Sequence, residues 1–317
     1  MDDKIKSAPA PSLLTLSAPA KVNIFLRVLS KRSDGYHEIF SLMQPLSLSD
    51  EITLEVTGGG IDVQCSEGSV PQGPGNIAYS AAKLFFEAIG EGRGAGSGGP
   101  VGGLSIRIEK NIPAGAGLGG GSSDAAAVLL GLNELFAAGL GQNELMDIGA
   151  RIGSDVPFFI LGGAALARGR GEVLTPVELP PFDYLLINPG FEVSTGWVYS
   201  NLGLTKERQN NMLTVLVESF ESPENIKDFL INDLEDVTIG RHPEVAVLKR
   251  KLLDNGATGA LMSGSGPTVF GLFPDTETAR RAFTSLTGSM EPGCKVFLVK
   301  GLPARSGPDR GGGRPLC

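Results

Sequence analysis

The chain has 317 residues, 41% of them hydrophobic and 20% charged, with a mean hydropathy of +0.08. That composition belongs to a globular protein, and at roughly 150 residues per domain the length predicts about two domains. Lysine and arginine number 27 against 35 acidic residues, a net charge of −8 with no basic block, which excludes a nucleic-acid partner because phosphate-backbone binding needs clustered positive charge. Cys65, Cys294 and Cys317 lie far apart and the histidines are His37 and His242. Neither a zinc cluster nor a disulfide framework is supported, and no metal ligands are assigned. No apolar run approaches the ~20 residues of a membrane span, and the start "MDDKIKSAPAPSLLTL" lacks a secretory core. The expectation is a cytoplasmic protein that does not engage membranes.

In chain order, residues 1–12 read as a loose Pro/Ala-rich arm. "PAKVNIFLRVL" then alternates, with Val22, Ile24, Leu26 and Val28 on one face and Lys21, Asn23 and Arg27 on the other, which predicts a half-buried strand. Asp34-Gly35 signals a turn before Tyr36 and His37. "DEITLEV" and "GIDVQC" predict two strands joined as a hairpin through residues 58–60. "GNIAYSAAKLFFEAIG" has helical spacing in Ile77, Ala81, Leu84 and Phe85, ending at Gly90. A glycine-rich loop over 91–103 leads into the strand "LSIRIEKNIP", and from there into a second glycine-rich segment.

That segment, "PAGAGLGGGSSDAA", opens a helix whose Ala125, Val128, Leu129, Leu132 and Phe136 form one apolar face. A helix start presents unpaired N–H groups and a partial positive charge, and glycines let that backbone approach a phosphate closely. Gly115, Gly117 and Gly120 satisfy the dinucleotide pattern G-x-G-x-x-G, but that pattern needs an acid ending the next strand, and Glu134 lies inside the helix. A Walker A loop needs G-K-[ST], whereas residues 120–123 are Gly-Gly-Ser-Ser. What remains is a phosphate cradle of another type, with Ser122 and Ser123 predicted to cap the helix and to reach the nucleotide or its Mg²⁺, and Asp124 as a first-turn acid suited to the helix dipole.

Downstream, short helices are predicted near "NELMDIGARIG", 209–220 and 243–254, and strands at "DYLLINPG", on both sides of "MSGSGP", and at "CKVFLVKGL". Asp275 and Thr276 are candidate caps for "DTETARRAFTSLT". Strands and helices mix without a βαβ rhythm, so the fold class is α+β. The tail 305–317 reads as disordered.

The glycine segment resembles the ATP-binding motif of the GHMP kinase superfamily, which includes galactokinase, homoserine kinase and mevalonate kinase. "PAKVNIFLRVLSKRSDGYHEI" and "LMSGSGPTVFGLF" resemble two further motifs of that superfamily, in the same order, so that the likeness runs from about Ser17 to Leu302. The resemblance implies a two-domain GHMP kinase-like fold with its active site in the cleft between domains. It divides the chain into 1–165, 166–304 and the tail. It implies ATP as co-substrate, with Mg²⁺ expected, and a catalytic pair, Asp155 in "GSDVP" with Lys21. Asp155 would deprotonate the accepting hydroxyl or only orient it; on residue type alone it is equally a helix cap before Val156-Pro157.

The resemblance assigns ATP to Pro113, Ala114, Gly115, Ala116, Gly117, Leu118, Gly119, Gly120, Gly121, Ser122 and Ser123, with Asn76 and Lys110 on the adenosine side. A helix cap and an exposed strand-end lysine are the plainer readings of those last two. Gly264, Ser265 and Gly266 would brace the phosphate loop. An aromatic–histidine pair in "DGYH" suits a pyrimidine better than a small acid, and the resemblance implies a small-molecule substrate carrying cytidine diphosphate. His37 would meet the cytosine edge and Tyr36 its ring, Asn23 and Thr195 would contact the substrate, and either Trp197 or Tyr199 would cover the base.

Overall fold

The computed structural model describes residues 12–92, 103–203 and 222–304. The predicted helix over 209–220, the tail 305–317 and most of the 91–103 loop lie outside the described residues.

Two long strands, β1 (Leu13–Lys31) and β2 (His37–Thr57), form an antiparallel ribbon closed by the turn at Asp34-Gly35. Then follow β3 (Ile61–Cys65), α1 (Ile77–Gly92), β4 (Gly103–Glu109), α2 (Gly120–Leu135), α3 (Gln142–Ile152), α4 (Val156–Leu161), β5 (Ala165–Arg168) and β6 (Val173–Pro176). The later part carries β7 (Asp183–Asn188), α5 (Thr195–Ser200), α6 (Pro223–Ile226), β8 (Ile231–Asn232), α7 (Glu235–Arg241), α8 (Glu244–Asp254), β9 (Gly259–Met262), β10 (Val269–Phe273), α9 (Thr276–Thr287) and β11 (Lys295–Lys300). One sheet runs β3-β4-β2-β1-β8, with β5 on the first half of β2 and β6 beside β5; the other runs β11-β7-β10-β9. The mixture is the expected α+β, and Asp275 caps α9 as predicted, its carboxylate accepting from Thr278 N at 2.7 Å.

The predicted hairpin between the second and third strands does not form. β4 takes the place beside β2, where Ile52, Leu54 and Val56 face Ile108, Ile106 and Leu104, and β3 adds outside it in parallel. Three apolar cross-strand pairs outweigh the short local connection. The half-buried reading of β1 is also corrected. Val22, Ile24 and Val28 are fully buried, and so are Lys21 and Asn23 on the other face at 4% and 2% exposure. β1 runs through the middle of the molecule, between the helical layer and the second sheet.

Three apolar clusters follow from this layering. One packs α1, α2 and α4 against β2 and β4. The second fills the space between the sheets, with Phe25, Phe40, Tyr184 and Phe270 at its centre. The third covers the far face of the second sheet with α8 and α9. α2 lies flat on the ribbon because Gly131 has no side chain; a Cβ there would meet Leu54 Cδ1 at 2.5 Å and Leu16 Cδ1 at 2.7 Å. That contact fixes where α2 begins, and therefore where the glycine segment must turn.

Candidate active site

The segment before α2 is shaped by what its carbonyls do. Gly115 O accepts from Val193 N at 3.4 Å, Ala116 O from Thr268 N at 3.3 Å, Gly117 O from Ser263 Oγ at 2.9 Å and Leu118 O from Lys21 N at 2.9 Å. Four consecutive carbonyls are thus held by the body of the protein. No described hydrogen bond uses the N–H groups of residues 114–121, which lie along the cleft with the start of α2. Gly115, Gly117 and Gly119 sit at φ of 57°, 77° and 75°. At Gly117 the requirement is strictest, since a Cβ would lie 2.2 Å from Ser263 O. The result is a row of donors at a helix N-terminus, the arrangement that binds phosphate.

Ser122 and Ser123 do not cap this helix. Gly119 occupies the cap position in a left-handed conformation, and both serines lie inside the first turn. Ser122 lines the cleft, while the Ser123 hydroxyl is buried with no hydrogen-bond partner. The first-turn reading of Asp124 is corrected too: α2 starts at Gly120 with no acid in its first turn, and the Asp124 carboxylate takes Lys110 Nζ at 2.8 Å. Nor is Lys110 an exposed strand-end lysine, because its side chain is 5% exposed and also pairs with Asp50. Asp50 Oδ1 accepts from Asn111 N at 2.6 Å and Ile112 N at 2.8 Å. Asp50 and Lys110 therefore clamp both ends of the glycine loop, the strand end on one side and α2 on the other. Two carboxylates share one buried cation, and burial pushes the Asp124 carboxyl up to about 7 against the pull of Lys110.

Lys21 sits beside this loop; a Cβ on Gly119 would meet its Cγ at 3.1 Å. Its ammonium lies 3.5 Å from Asp155 Oδ2 and donates to Asn23 Oδ1 at 2.5 Å. Asn23 in turn donates to Ser41 Oγ at 2.9 Å, and Ser41 donates to Phe25 O at 2.7 Å. That chain fixes which way the Asn23 amide faces and occupies both of its ends. Asp155 stands at the cap position of α4, but its side chain makes no capping bond, so the carboxylate faces Lys21. The two residues are separated by 134 positions in the sequence and meet beside the glycine loop.

At the other end of the cleft, His37 stacks on Tyr199 with centroids 5.0 Å apart. Burial and the charge of Lys31 hold the His37 pKa below its ordinary value, which keeps one ring nitrogen a donor and the other an acceptor near neutrality. Burial and the nearby Asp155 charge raise the Tyr199 hydroxyl. Trp197 lies under the Arg241 guanidinium at 4.6 Å and does not line the cleft, so the two candidate rings separate. Thr195 Oγ1 is 2.8 Å from Ser265 Oγ. Asn76, by contrast, uses its side chain as a helix cap, accepting from Ala78 N and donating to Pro71 O, at the cleft's edge.

Sequence reasoning missed Asp50, Arg170 and the supports of the Gly264–Gly266 loop. Asn232 donates to Met262 O and Gly264 O at 2.8 and 2.7 Å, and Thr238 donates to Ser265 O at 3.1 Å. The ends of that loop hold the glycine loop through Ser263 and Thr268, while Gly264 and Ser265, expected only to brace it, also line the cleft. All these elements enclose a cleft of about 1110 Å³. Ligand pockets run to roughly 1,000 Å³, so the cleft is at least as roomy as the largest of them.

Residues 76–163 match the family description "GHMP kinases N terminal domain" and residues 215–291 match "GHMP kinases C terminal". A protein of Syntrophotalea carbinolica named 4-diphosphocytidyl-2-C-methyl-D-erythritol kinase is 49% identical over 89% of this chain and 97% of its own length. A protein of the same name from Geobacter metallireducens is 48% identical over 88% of this chain and 95% of its own. A crystal structure of 4-(cytidine 5'-diphospho)-2C-methyl-D-erythritol kinase superposes with a TM-score of 0.74 at 37% identity, covering 91% of this chain and 99% of that one. Homoserine kinase from Cytophaga hutchinsonii shares the fold, with a TM-score of 0.70 at 19% identity. A clamped glycine loop, a lysine–aspartate pair beside it and two family matches spanning more than half the sequence lead to one conclusion: the chain belongs to the GHMP kinase family.

Proposed function

We propose that the chain transfers the γ-phosphoryl group of ATP to the 2-hydroxyl of 4-diphosphocytidyl-2-C-methyl-D-erythritol, releasing ADP and the 2-phosphate, a step in non-mevalonate isoprenoid precursor synthesis. The observation that carries the reading is the Lys21–Asp155 pair at 3.5 Å, lying between a donor-lined loop and an aromatic–histidine end of one cleft. The near-full-length identity to the named kinases supports the same substrate.

Phosphoryl transfer asks for positioning, neutralised charge and one guided proton. The N–H groups of residues 114–121 hold the phosphates of ATP, with Asn76 and Lys110 on the adenosine side. Lys21 stabilises the charge on the transferring group. Asp155 orients the accepting hydroxyl and takes its proton as the new bond forms. His37 offers a donor and an acceptor to the cytosine edge, while Tyr36 and Tyr199 supply ring faces and Thr195 a hydroxyl. Asn23 serves through Lys21, since both ends of its amide are engaged.

Among the described residues no group of three His, Cys, Asp or Glu side chains could hold a metal ion. Mg²⁺ is commonly carried by substrate phosphates and water, with few protein ligands, so a neutral oxygen beside the loop fits it. Ser122 would supply that oxygen, and the ion would offset phosphate charge. No described helix is long and apolar enough to cross a membrane. Cytoplasmic placement belongs to the same proposal, supported by the free thiols Cys65 and Cys294.

The test is ADP release with the cytidylylated alcohol, mevalonate and homoserine supplied in parallel. Turnover with the first alone is expected; turnover with either of the others and none with the first would overturn the assignment.

A further inference from the structure

The substrate named above joins a cytidine to an alcohol through a diphosphate, and that linker carries negative charge across the middle of the cleft. Two of the lysines lining the cleft are committed elsewhere: Lys21 faces Asp155, and Lys110 is shared by Asp50 and Asp124. Lys31 stands at the base end, where its charge reaches His37. Arg170 lies between the two ends. Its guanidinium sits 4.9 Å above the Tyr36 ring, and the next residue, Gly171, is close enough to the other end that a Cβ on it would stand 3.6 Å from Asp155 Oδ1.

The turn that carries Arg170 is fixed in place. Gly171 N donates to Arg168 O at 3.0 Å, Gly169 N to Glu38 Oε1 at 3.0 Å, and Ile39 N to Gly169 O at 2.8 Å. Glu172 accepts from Arg170 N at 2.6 Å and from its Nε at 3.4 Å. Those contacts orient the guanidinium plane and leave its terminal amines without a described hydrogen bond. A planar fork of free N–H donors, part-exposed and held over the stacking ring, is the geometry that recognises phosphate oxygens.

We propose that Arg170 binds the diphosphate of the cytidine substrate, bridging the base at Tyr36 and the reacting alcohol at Asp155. The inference rests on the proposed activity and adds a residue that neither the glycine motif nor the aromatic–histidine segment assigns.

The test compares Arg170→Ala and Arg170→Lys with the unaltered full chain, titrating CDP and cytidine separately and measuring KM for ATP. A charge-assisted hydrogen bond contributes on the order of 1.5–3 kcal/mol, so Arg170→Ala is expected to weaken CDP binding by about 10- to 100-fold. Cytidine binding and KM for ATP should change less than about twofold, and Arg170→Lys should recover part of the loss, because lysine keeps the charge but not the fork. Unchanged CDP affinity in Arg170→Ala would overturn the proposal. Equal losses for cytidine and CDP would also overturn it, since Arg170 would then act only by steadying Tyr36. If the unaltered chain bound neither CDP nor cytidine, the activity itself would be wrong and this inference would fall with it.

Discussion

The buried trio of Asp50, Lys110 and Asp124 gives the most demanding prediction. Replacing Lys110 with Met keeps the volume and removes the cation, which leaves two carboxylates at 0% and 4% side-chain exposure without their partner. Breaking a buried pair from one side costs about 3–5 kcal/mol, and at roughly 2 °C per kcal/mol for a chain of this size the melting midpoint should fall by about 6–10 °C. The deficit must also depend on pH. With the lysine gone, the Asp124 carboxyl loses the pull that opposed its burial, so its folded-state pKa stands further above the unfolded one, folding takes up a proton and stability rises as pH falls. Thermal unfolding of Lys110→Met should therefore approach that of the unaltered chain between pH 8 and pH 5. Asp124→Asn provides the contrast. It removes the carboxyl already pushed up to about 7, whose Oδ1 has no hydrogen-bond partner, and keeps an acceptor for Lys110. Its stability at pH 8 should stay within about 1 kcal/mol of the original, as expected when a surplus buried charge is neutralised without loss of its hydrogen bond. A Lys110→Met deficit that is small, or that does not change with pH, would refute the picture of two carboxylates sharing one cation.

Other expectations follow from the cleft. Lys21→Ala and Asp155→Asn should each lower kcat by about 10²–10⁴-fold with unchanged circular dichroism, the range for losing a proton-transfer group or a charge stabiliser; near-normal rates in both would remove the mechanism. Gly117→Ala forces a side chain to within 2.2 Å of Ser263 O at φ 77°, so KM for ATP should rise while cytidine binding is retained, as titration of each ligand would show. The depressed pKa of His37 keeps it neutral at pH 7, and cytidine affinity should fall as pH drops below the ordinary histidine range, where protonation removes the ring acceptor. His37→Ala should abolish that pH dependence.

What was legible in the sequence and what was not divides along a physical line. The glycine loop could be read because a phosphate site needs positive φ and bare amides, and only glycine supplies both cheaply. Lys21 and Asp155 could be paired through their motifs, and the structure brings them within 3.5 Å. Asp50 could not be found, because nothing at the end of an alternating strand marks an acid that will meet a lysine 60 positions later. The hairpin expectation failed for the same reason. β4 outcompetes β3 for the edge of β2 through non-local apolar pairing, which local turn signals do not encode. The serine caps were misread because a left-handed glycine can end a loop without any side-chain bond. Arg170 was passed over since an arginine between two glycines reads as a surface turn until Tyr36 is seen beneath it.

Lys21 touches both halves of the machine: its amide anchors Leu118 O, and its ammonium faces Asp155. In the proposed mechanism, the grip on the triphosphate and the chemical rate therefore share one mechanical joint. Any redesign of the loop for a different triphosphate would drag the lysine with it. Attempts to alter donor choice should start at the adenosine end, where a change leaves that joint at rest.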